Sequence, residues 1–107
     1  MQKRLLLALL ALLSSPNSLM AQRTWTKVKE ELLFATPPFA QCHASTLVEG
    51  NNGQLLVACF AGPHEGSKDV AIWLTTVSDD GISPPRKVAD GVVKDSLRYP
   101  TWNPVLF

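Results

Sequence analysis

Apolar and polar positions alternate with a period of two through the middle of this chain, which predicts a sheet of antiparallel strands. The pattern predicts strands at residues 44–49, 54–61, 69–77 and 86–89. The second strand is almost continuously apolar, as expected of a strand that is covered on both faces. The fourth is short and more polar, which is typical of an edge strand. We therefore predict an all-β fold built on a four-stranded antiparallel meander.

Turn-forming residues separate the strands and determine which loops share an end of the sheet. Residues 50–53 (Gly-Asn-Asn-Gly) predict a tight hairpin, and residues 78–81 (Ser-Asp-Asp-Gly) predict a second turn. In a meander, these two turns lie at one end of the sheet. The other end holds the start of the first strand and the connections after the second and fourth strands. His43, the loop at residues 62–69 and the connector at residues 98–103 are therefore expected to converge. Polar and ionisable residues gather there, so this end is the predicted ligand-binding end.

The segments that flank the strands are less regular. Residues 23–29 alternate as in an edge strand, whereas residues 30–34 fit one helical turn, and the prolines at 37 and 38 end either structure. Residues 90–101 predict an irregular connector of mixed charge. The apolar run at residues 102–107 predicts the start of a further strand. We therefore expect residues 22–107 to be the N-terminal, truncated part of a longer domain.

The first 21 residues have the composition of a secretory signal peptide. Lys3 and Arg4 precede an apolar run at residues 5–13, and a polar stretch then ends at Ala21. This run is too short to span a bilayer, because a spanning helix needs about 20 apolar residues. We therefore expect a signal peptide helix at residues 1–21, no membrane span in the mature chain, and a secreted or periplasmic location.

The charge and the cysteine positions indicate which partners the chain can bind and whether it can form a disulfide. The net charge is +1 and no basic patch stands out, which argues against binding of nucleic acid. If Glu49 pairs with Gln54 across the first turn, Cys42 and Cys59 occupy offset positions that are too far apart for a relaxed disulfide. We therefore expect both cysteines to be small, buried residues with free thiols.

Three motifs in order resemble the predicted-neuraminidase group of BNR-repeat, sialidase-like proteins. They are Pro-Phe-Ala-Gln-Cys-His-Ala-Ser-Thr at residues 38–46, Gly-Pro-His-Glu-Gly at residues 62–66 followed by Asp-Val-Ala-Ile-Trp at residues 69–73, and Trp-Asn-Pro-Val-Leu-Phe at residues 102–107. The resemblance implies a sialidase-like β-propeller of about six blades, of which this chain holds about one. It also implies a carbohydrate partner and no cofactor.

The chain departs from true sialidases where those enzymes bind the carboxylate of sialic acid. Sialidases hold that group with three arginines, whose planar guanidinium groups can bind it through two parallel hydrogen bonds. At the places of the first two arginines this chain has Phe-Ala-Gln at residues 39–41 and Pro-His at residues 63–64. Asp69 stands at the position of the sialidase acid/base aspartate. The resemblance therefore implies a glycan substrate other than sialic acid.

Seven residues are candidates for chemistry or binding at the predicted ligand-binding end. The catalytic candidates are the groups suited to acid/base work, namely Asp69, Glu65 and His43. The substrate-binding candidates are the side chains that can hydrogen-bond to a sugar or stack on it, namely His64, Arg98, Trp102 and Asn103. Each has a structural alternative, such as a strand cap, a solvated charge, a turn residue or a core aromatic ring. His64 and Glu65 lack the His-Glu-x-x-His spacing of zinc sites, so no metal is expected.

Two functions from different classes fit these residues. The first is an exo-acting glycoside hydrolase that acts on a non-sialic or acidic sugar through Asp69, Glu65 or His43. The second is a non-catalytic carbohydrate-binding propeller. The nucleophilic Tyr–Glu pair of sialidases would lie beyond Phe107. The resemblance therefore implies that the 107-residue chain alone is inactive.

Overall fold

The computed structural model describes residues 23–107, which divide into two compact units, residues 23–30 and Glu31–Phe107. The signal peptide helix expected at residues 1–21 lies outside the described residues. Residues 23–30 form neither helix nor strand, and Lys27 makes an ion pair with Glu30. Residues 30–34 form no helical turn either, so both interpretations of this segment are wrong. No helix within residues 23–107 is long and apolar enough to cross a membrane.

Seven strands lie within Glu31–Phe107, and all of their pairings are antiparallel. They are β1 (Gln41–Glu49), β2 (Leu55–Gly62), β3 (Ala71–Ser78), β4 (Gly81–Ile82), β5 (Arg86–Asp90), β6 (Val92–Lys94) and β7 (Leu97–Arg98). Strands β1, β2 and β3 pair in sequence order, and β3 also pairs with β4 and β5. Strands β6 and β7 form a separate two-stranded sheet. The all-β prediction is confirmed, and the four predicted strands correspond to β1, β2, β3 and β5.

The strand boundaries differ from the sequence-based prediction by up to three residues. Strand β1 begins at Gln41, three residues earlier than predicted, so His43 is its third residue. Strand β3 begins at Ala71, two residues later than predicted, so Asp69 lies in the loop before the strand. The connector predicted at residues 90–101 contains the β6–β7 hairpin, which is closed at its base by a hydrogen bond from the Tyr99 N–H to the Gly91 carbonyl oxygen (3.0 Å). Strand β6 has only three residues and all are exposed, so it leaves no alternating pattern in the sequence.

The first hairpin has a different register from the predicted one. Glu49 pairs with Leu55 rather than with Gln54, and a bulge between His43 and Thr46 then compensates for the shift. Within this bulge, Ala44 has a φ of 51°, a left-handed conformation that residues other than glycine seldom adopt. A bulge bends and twists its strand. The first residues of β1 are therefore directed differently from the rest of the strand.

Strand β2 forms the centre of the core, as its apolar run predicted. Its buried residues are Ala58, Cys59, Phe60 and Ala61. On one face, Phe39 packs edge-to-face against Phe34 and Trp73, with ring centroids 5.4 Å and 5.3 Å apart. The Trp73 indole N–H donates to the Ala61 carbonyl oxygen at 3.2 Å, which satisfies its polar group. The segment before β1 therefore covers one face of the sheet.

The two cysteines lie on the same face of adjacent strands. Cys59 is buried, as predicted, but Cys42 is exposed, because β1 is an edge strand. Burial, and to a smaller extent the neighbouring Cys42 thiol, raise the pKa of Cys59 to about 11. The Cys59 thiol therefore remains protonated at neutral pH.

The two ends of the sheet carry different loops. At one end, which we call the turn end, the residue 50–53 and 78–81 turns border an open cleft of about 490 Å³. At the other, which we call the loop end, the start of β1, the loop at residues 63–70 and residues 91–103 come together. The register fixes this arrangement, because Ala61 pairs with Ala71 near the loop end and Leu55 pairs with Val77 near the turn end.

Candidate functional site

An ion pair between Asp69 and Arg98 joins two of the connections at the loop end. The Arg98 Nη1 contacts the Asp69 Oδ1, and the Asp69 and Arg98 side chains are 61% and 43% exposed. An exposed ion pair of this kind adds at most about 1 kcal/mol to stability. The pair therefore contributes little to the fold, but it holds a carboxylate and a guanidinium together where a ligand can reach both.

Backbone anchors position this ion pair. The Asp69 N–H donates to Ser67 Oγ at 3.2 Å, and the Val70 N–H donates to the Ser67 carbonyl oxygen at 3.0 Å. From the other connection, the Thr101 hydroxyl donates to the Val70 carbonyl oxygen at 3.0 Å. Arg98 is the last residue of β7, and the next residue, Tyr99, donates its N–H to the Gly91 carbonyl oxygen at the base of the β6–β7 hairpin. Backbone hydrogen bonds in both connections therefore position the Asp69 carboxylate and the Arg98 guanidinium.

An aromatic stack forms a second part of the loop end. The His43 imidazole stacks on Phe60, with ring centroids 5.6 Å apart and an interplanar angle of 29°. Phe60 is buried and also contacts Trp102, at 6.0 Å between centroids. Trp102 is 54% exposed, so much of its ring is available to a ligand. A buried phenyl ring thus connects the two candidate residues His43 and Trp102.

The remaining candidates lie exposed around these two groups. His64 and Glu65 lie in the loop between β2 and β3, where His64 Nδ1 is 3.0 Å from the Glu65 carbonyl oxygen. Gly66 follows with a φ of 79°, which favours glycine, and a Cβ built there would lie 4.0 Å from the Trp102 ring. Asn103 is exposed directly after Trp102. The loop therefore turns next to the aromatic stack.

The structure brings some of the predicted site residues into contact and leaves others apart. Asp69 contacts Arg98, and His43 is linked to Trp102 through Phe60. Within residues 23–107, no hydrogen bond or ion pair joins His43 to Asp69 or Glu65, so the three catalytic candidates share an end of the sheet without forming a contacting triad. The same residues contain no group of three His, Cys, Asp or Glu side chains placed to hold a metal ion.

Sequence reasoning missed three features of the loop end. Asp69 and Arg98 were candidates separately, but their pairing was not predicted, although opposite charges on two connections at one end of a meander were a usable signal. Phe60 and Thr101 were not candidates at all. The role of Phe60 depends on the register that sets it opposite His43. The Thr101 hydrogen bond depends on a connection that the alternating pattern does not describe.

Comparison with known proteins gives a match to a family model. A sequence model of the BNR repeat-like domain matches residues 53–107, just over half of the chain. The matched segment contains strands β2 to β7, and with them the ion pair and Trp102, whereas His43 precedes it. No curated protein matches the chain, and no solved structure matches it.

Proposed function

The chain belongs to the family of BNR repeat-like domains, and from this premise we propose that it forms one blade of a sialidase-like β-propeller. Strands β1, β2, β3 and β5 form a four-stranded antiparallel meander with a polar, exposed last strand, which is the arrangement of a propeller blade. In such a blade the first strand lies nearest to the central channel. The loop end, with His43 near the start of β1, then lies on the face of the propeller around that channel.

The function that this geometry supports best is exo-acting hydrolysis of a glycan. The observation that carries the proposal is the accessible Asp69–Arg98 pair, four residues along the chain from the exposed Trp102. In glycoside hydrolysis one carboxylic acid protonates the leaving oxygen, and a second carboxylate acts as base or nucleophile. We assign the second role to Asp69, because the carboxylate that Arg98 holds in an ion pair is in the unprotonated form that a base or nucleophile needs. Glu65 lies in the same loop and is the candidate for the first role.

The other candidates bind and orient the sugar in this proposal. Arg98 fixes the orientation of the Asp69 carboxylate. It also has further N–H groups that can bind a sugar hydroxyl or carboxylate. The exposed face of Trp102 is a platform on which the apolar face of a sugar ring can stack. His43, held against Phe60, and the exposed His64 and Asn103 supply hydrogen-bonding groups around that platform. The resulting site accepts a neutral or acidic sugar and needs no cofactor.

A non-catalytic carbohydrate-binding propeller is the second candidate function. The observation that favours it is the same ion pair, because a carboxylate that arginine holds in place can accept hydrogen bonds from sugar hydroxyls without transferring a proton. The absence of a contact among His43, Glu65 and Asp69 within the described chain is also consistent with binding alone. Both candidates place a glycan at the loop end, so they differ in turnover and not in location.

A panel of p-nitrophenyl glycosides distinguishes the two functions. The assay uses the whole protein, by which we mean the natural polypeptide with any residues that follow Phe107. The panel contains galactoside, N-acetylglucosaminide, N-acetylgalactosaminide, fucoside, glucuronide and sialoside. Release of nitrophenol from one of these supports the hydrolase. Saturable binding of the same sugars without release supports the binding module. Neither turnover nor binding of any member would contradict a role in glycan recognition.

We predict that the sialoside is a poor substrate. The chain has Gln41 and His64 in the segments where sialidases carry two of their carboxylate-binding arginines. Each missing charge-assisted hydrogen bond costs about 1.5–3 kcal/mol. The whole protein should therefore hydrolyse the sialoside at least about 100-fold more slowly than its best glycoside, as measured by kcat/KM. A sialoside that ranks first in the panel would show that other residues bind the carboxylate.

We also propose that the protein is exported and loses its first 21 residues. The support is the positively charged start followed by the apolar run at residues 5–13. The N-terminus of the protein recovered outside the cytoplasm should begin at or near Gln22, which N-terminal sequencing determines directly. Intact Met1 on the exported protein would refute cleavage, and retention of the whole population in the cytoplasm would refute export.

A further inference from the structure

Cys42 and Cys59 are neighbours across the first hairpin. Cys42 pairs with Ala61, and Cys59 lies two residues before Ala61 on the same face of β2. Both cysteines line one pocket together with Leu33 and Phe34. In a regular sheet, such diagonal positions have Cα atoms about 7–8 Å apart, which is more than a relaxed disulfide spans. The offset alone would therefore argue against a bond.

The bulge in β1 changes this geometry. It lies between His43 and Thr46, so β1 has two residues opposite Cys59 where a regular strand has one. A bulge increases the local twist of its strand and redirects the side chains beside it. Cys42 lies next to the bulge, and its thiol is close enough to contribute to the raised pKa of Cys59. Both side chains therefore line the same pocket beside the bulge.

We propose that Cys42 and Cys59 form a disulfide that ties the edge strand β1 to β2 when the protein meets an oxidising environment. This pairing does not depend on the proposed glycan function. It rests on the register, the bulge and the pocket that both side chains line. Because His43 directly follows Cys42, the bond would also fix the first residues of β1 at the loop end.

The chemistry is a two-step thiol–disulfide exchange with an external disulfide, for which oxidised glutathione serves as the probe. The Cys42 thiolate attacks oxidised glutathione first, because Cys42 is exposed, and one glutathione thiolate leaves. Cys59 then attacks the Cys42 sulfur of the mixed disulfide and displaces the second glutathione; its raised pKa leaves only a small thiolate fraction, so this is the slower step. Two thiols are oxidised, one external disulfide is reduced, and the two protons end on the two reduced glutathione molecules.

Peptide mapping of the whole protein tests the pairing directly. The protein is equilibrated with oxidised glutathione, its free thiols are blocked with N-ethylmaleimide, and it is digested with a protease that cuts after glutamate. Cleavage after Glu31, Glu49 and Glu65 separates Cys42, in residues 32–49, from Cys59, in residues 50–65. We expect these two peptides to appear as one linked species, lighter than their sum by two hydrogen atoms. Reduction should resolve it into two peptides.

Two controls separate an internal bond from other outcomes. Cys42→Ser and Cys59→Ser should each abolish the linked species, and each should leave the remaining thiol blocked by N-ethylmaleimide or joined to glutathione. A non-reducing gel should show that the wild-type linked species belongs to the monomer. The proposal would be overturned if both thiols remained free after oxidation, so that both peptides carried N-ethylmaleimide. Linked peptides found only in disulfide-bonded dimers would overturn it as well.

Discussion

Replacing Asp69 with asparagine is expected to lower glycoside turnover by the whole protein by about 10²–10⁴-fold, the usual contribution of a positioned general acid or base. Asparagine has nearly the same shape, and it can still accept a hydrogen bond from Arg98. It cannot, however, act as a general base toward the attacking water, and it is a much weaker nucleophile than a carboxylate. Since the Asp69 side chain is 61% exposed and its ion pair adds little stability, the fold should be unaffected. The fall should therefore appear in kcat for the best glycoside of the panel.

A matched control is Asp79→Asn at the turn end. Asp79 is also an exposed aspartate, and it lies in the turn that borders the opposite cleft. This variant should keep wild-type kcat and KM, because its carboxylate lies far from the loop end along β3. If Asp69→Asn and Asp79→Asn have equal, wild-type turnover, Asp69 has no part in the chemistry.

Replacing Gly91 with alanine is expected to destabilise the protein by about 3 kcal/mol, at the upper end of the usual cost of overpacking. A Cβ at residue 91 would lie 1.7 Å from the Tyr99 carbonyl oxygen and 2.7 Å from the Tyr99 carbonyl carbon. These are backbone atoms of the residue across the base of the β6–β7 hairpin, so its two strands must move apart there to make room. That hairpin carries Arg98, so the substitution should also separate Arg98 from Asp69.

Gly50→Ala is the control for this prediction. The nearest atom to a Cβ at residue 50 is the Gln54 Cγ, at 3.2 Å, in a flexible side chain that can move aside. This substitution should change the free energy of unfolding by only about 0.5 kcal/mol, as is usual for surface positions. Urea unfolding of the two variants measures the difference. Equal stability of Gly91→Ala and Gly50→Ala would show that the backbones of residues 91 and 99 are not in close contact.

The main sheet is predictable because its strands leave strong patterns in the sequence. The apolar run of β2 and the alternation in β3 both indicate strands, and the Gly-Asn-Asn-Gly turn fixes the first hairpin to within one residue. The bulge beside Ala44 is not predictable, since nothing in the residue types at 43–46 signals an extra residue in one strand. The exposure of Cys42 was missed for a related reason, because burial at an edge strand depends on what covers it.

The loop end is predictable in location but not in detail. Meander topology places His43, Glu65 and Asp69 at one end, and this follows from strand order alone. The Asp69–Arg98 contact depends on the path of residues 91–98, where a three-residue strand and a two-residue strand form a hairpin without a periodic signal. The stacking of His43 on Phe60 likewise depends on exact register, because a shift of one residue would turn His43 to the other face.

In the proposed function this chain binds a glycan at its loop end. Hydrogen exchange of the ligand complex tests that binding most directly. The Asp69→Asn form of the whole protein is mixed with the glycoside that the panel identifies, so that the sugar stays bound without being consumed. Backbone amides at residues 62–69 and 98–103 should then exchange more slowly than in the free protein, while those at residues 50–53 and 78–81 should be unchanged. Protection confined to the turn end, with none at residues 62–69 or 98–103, would contradict binding at the loop end.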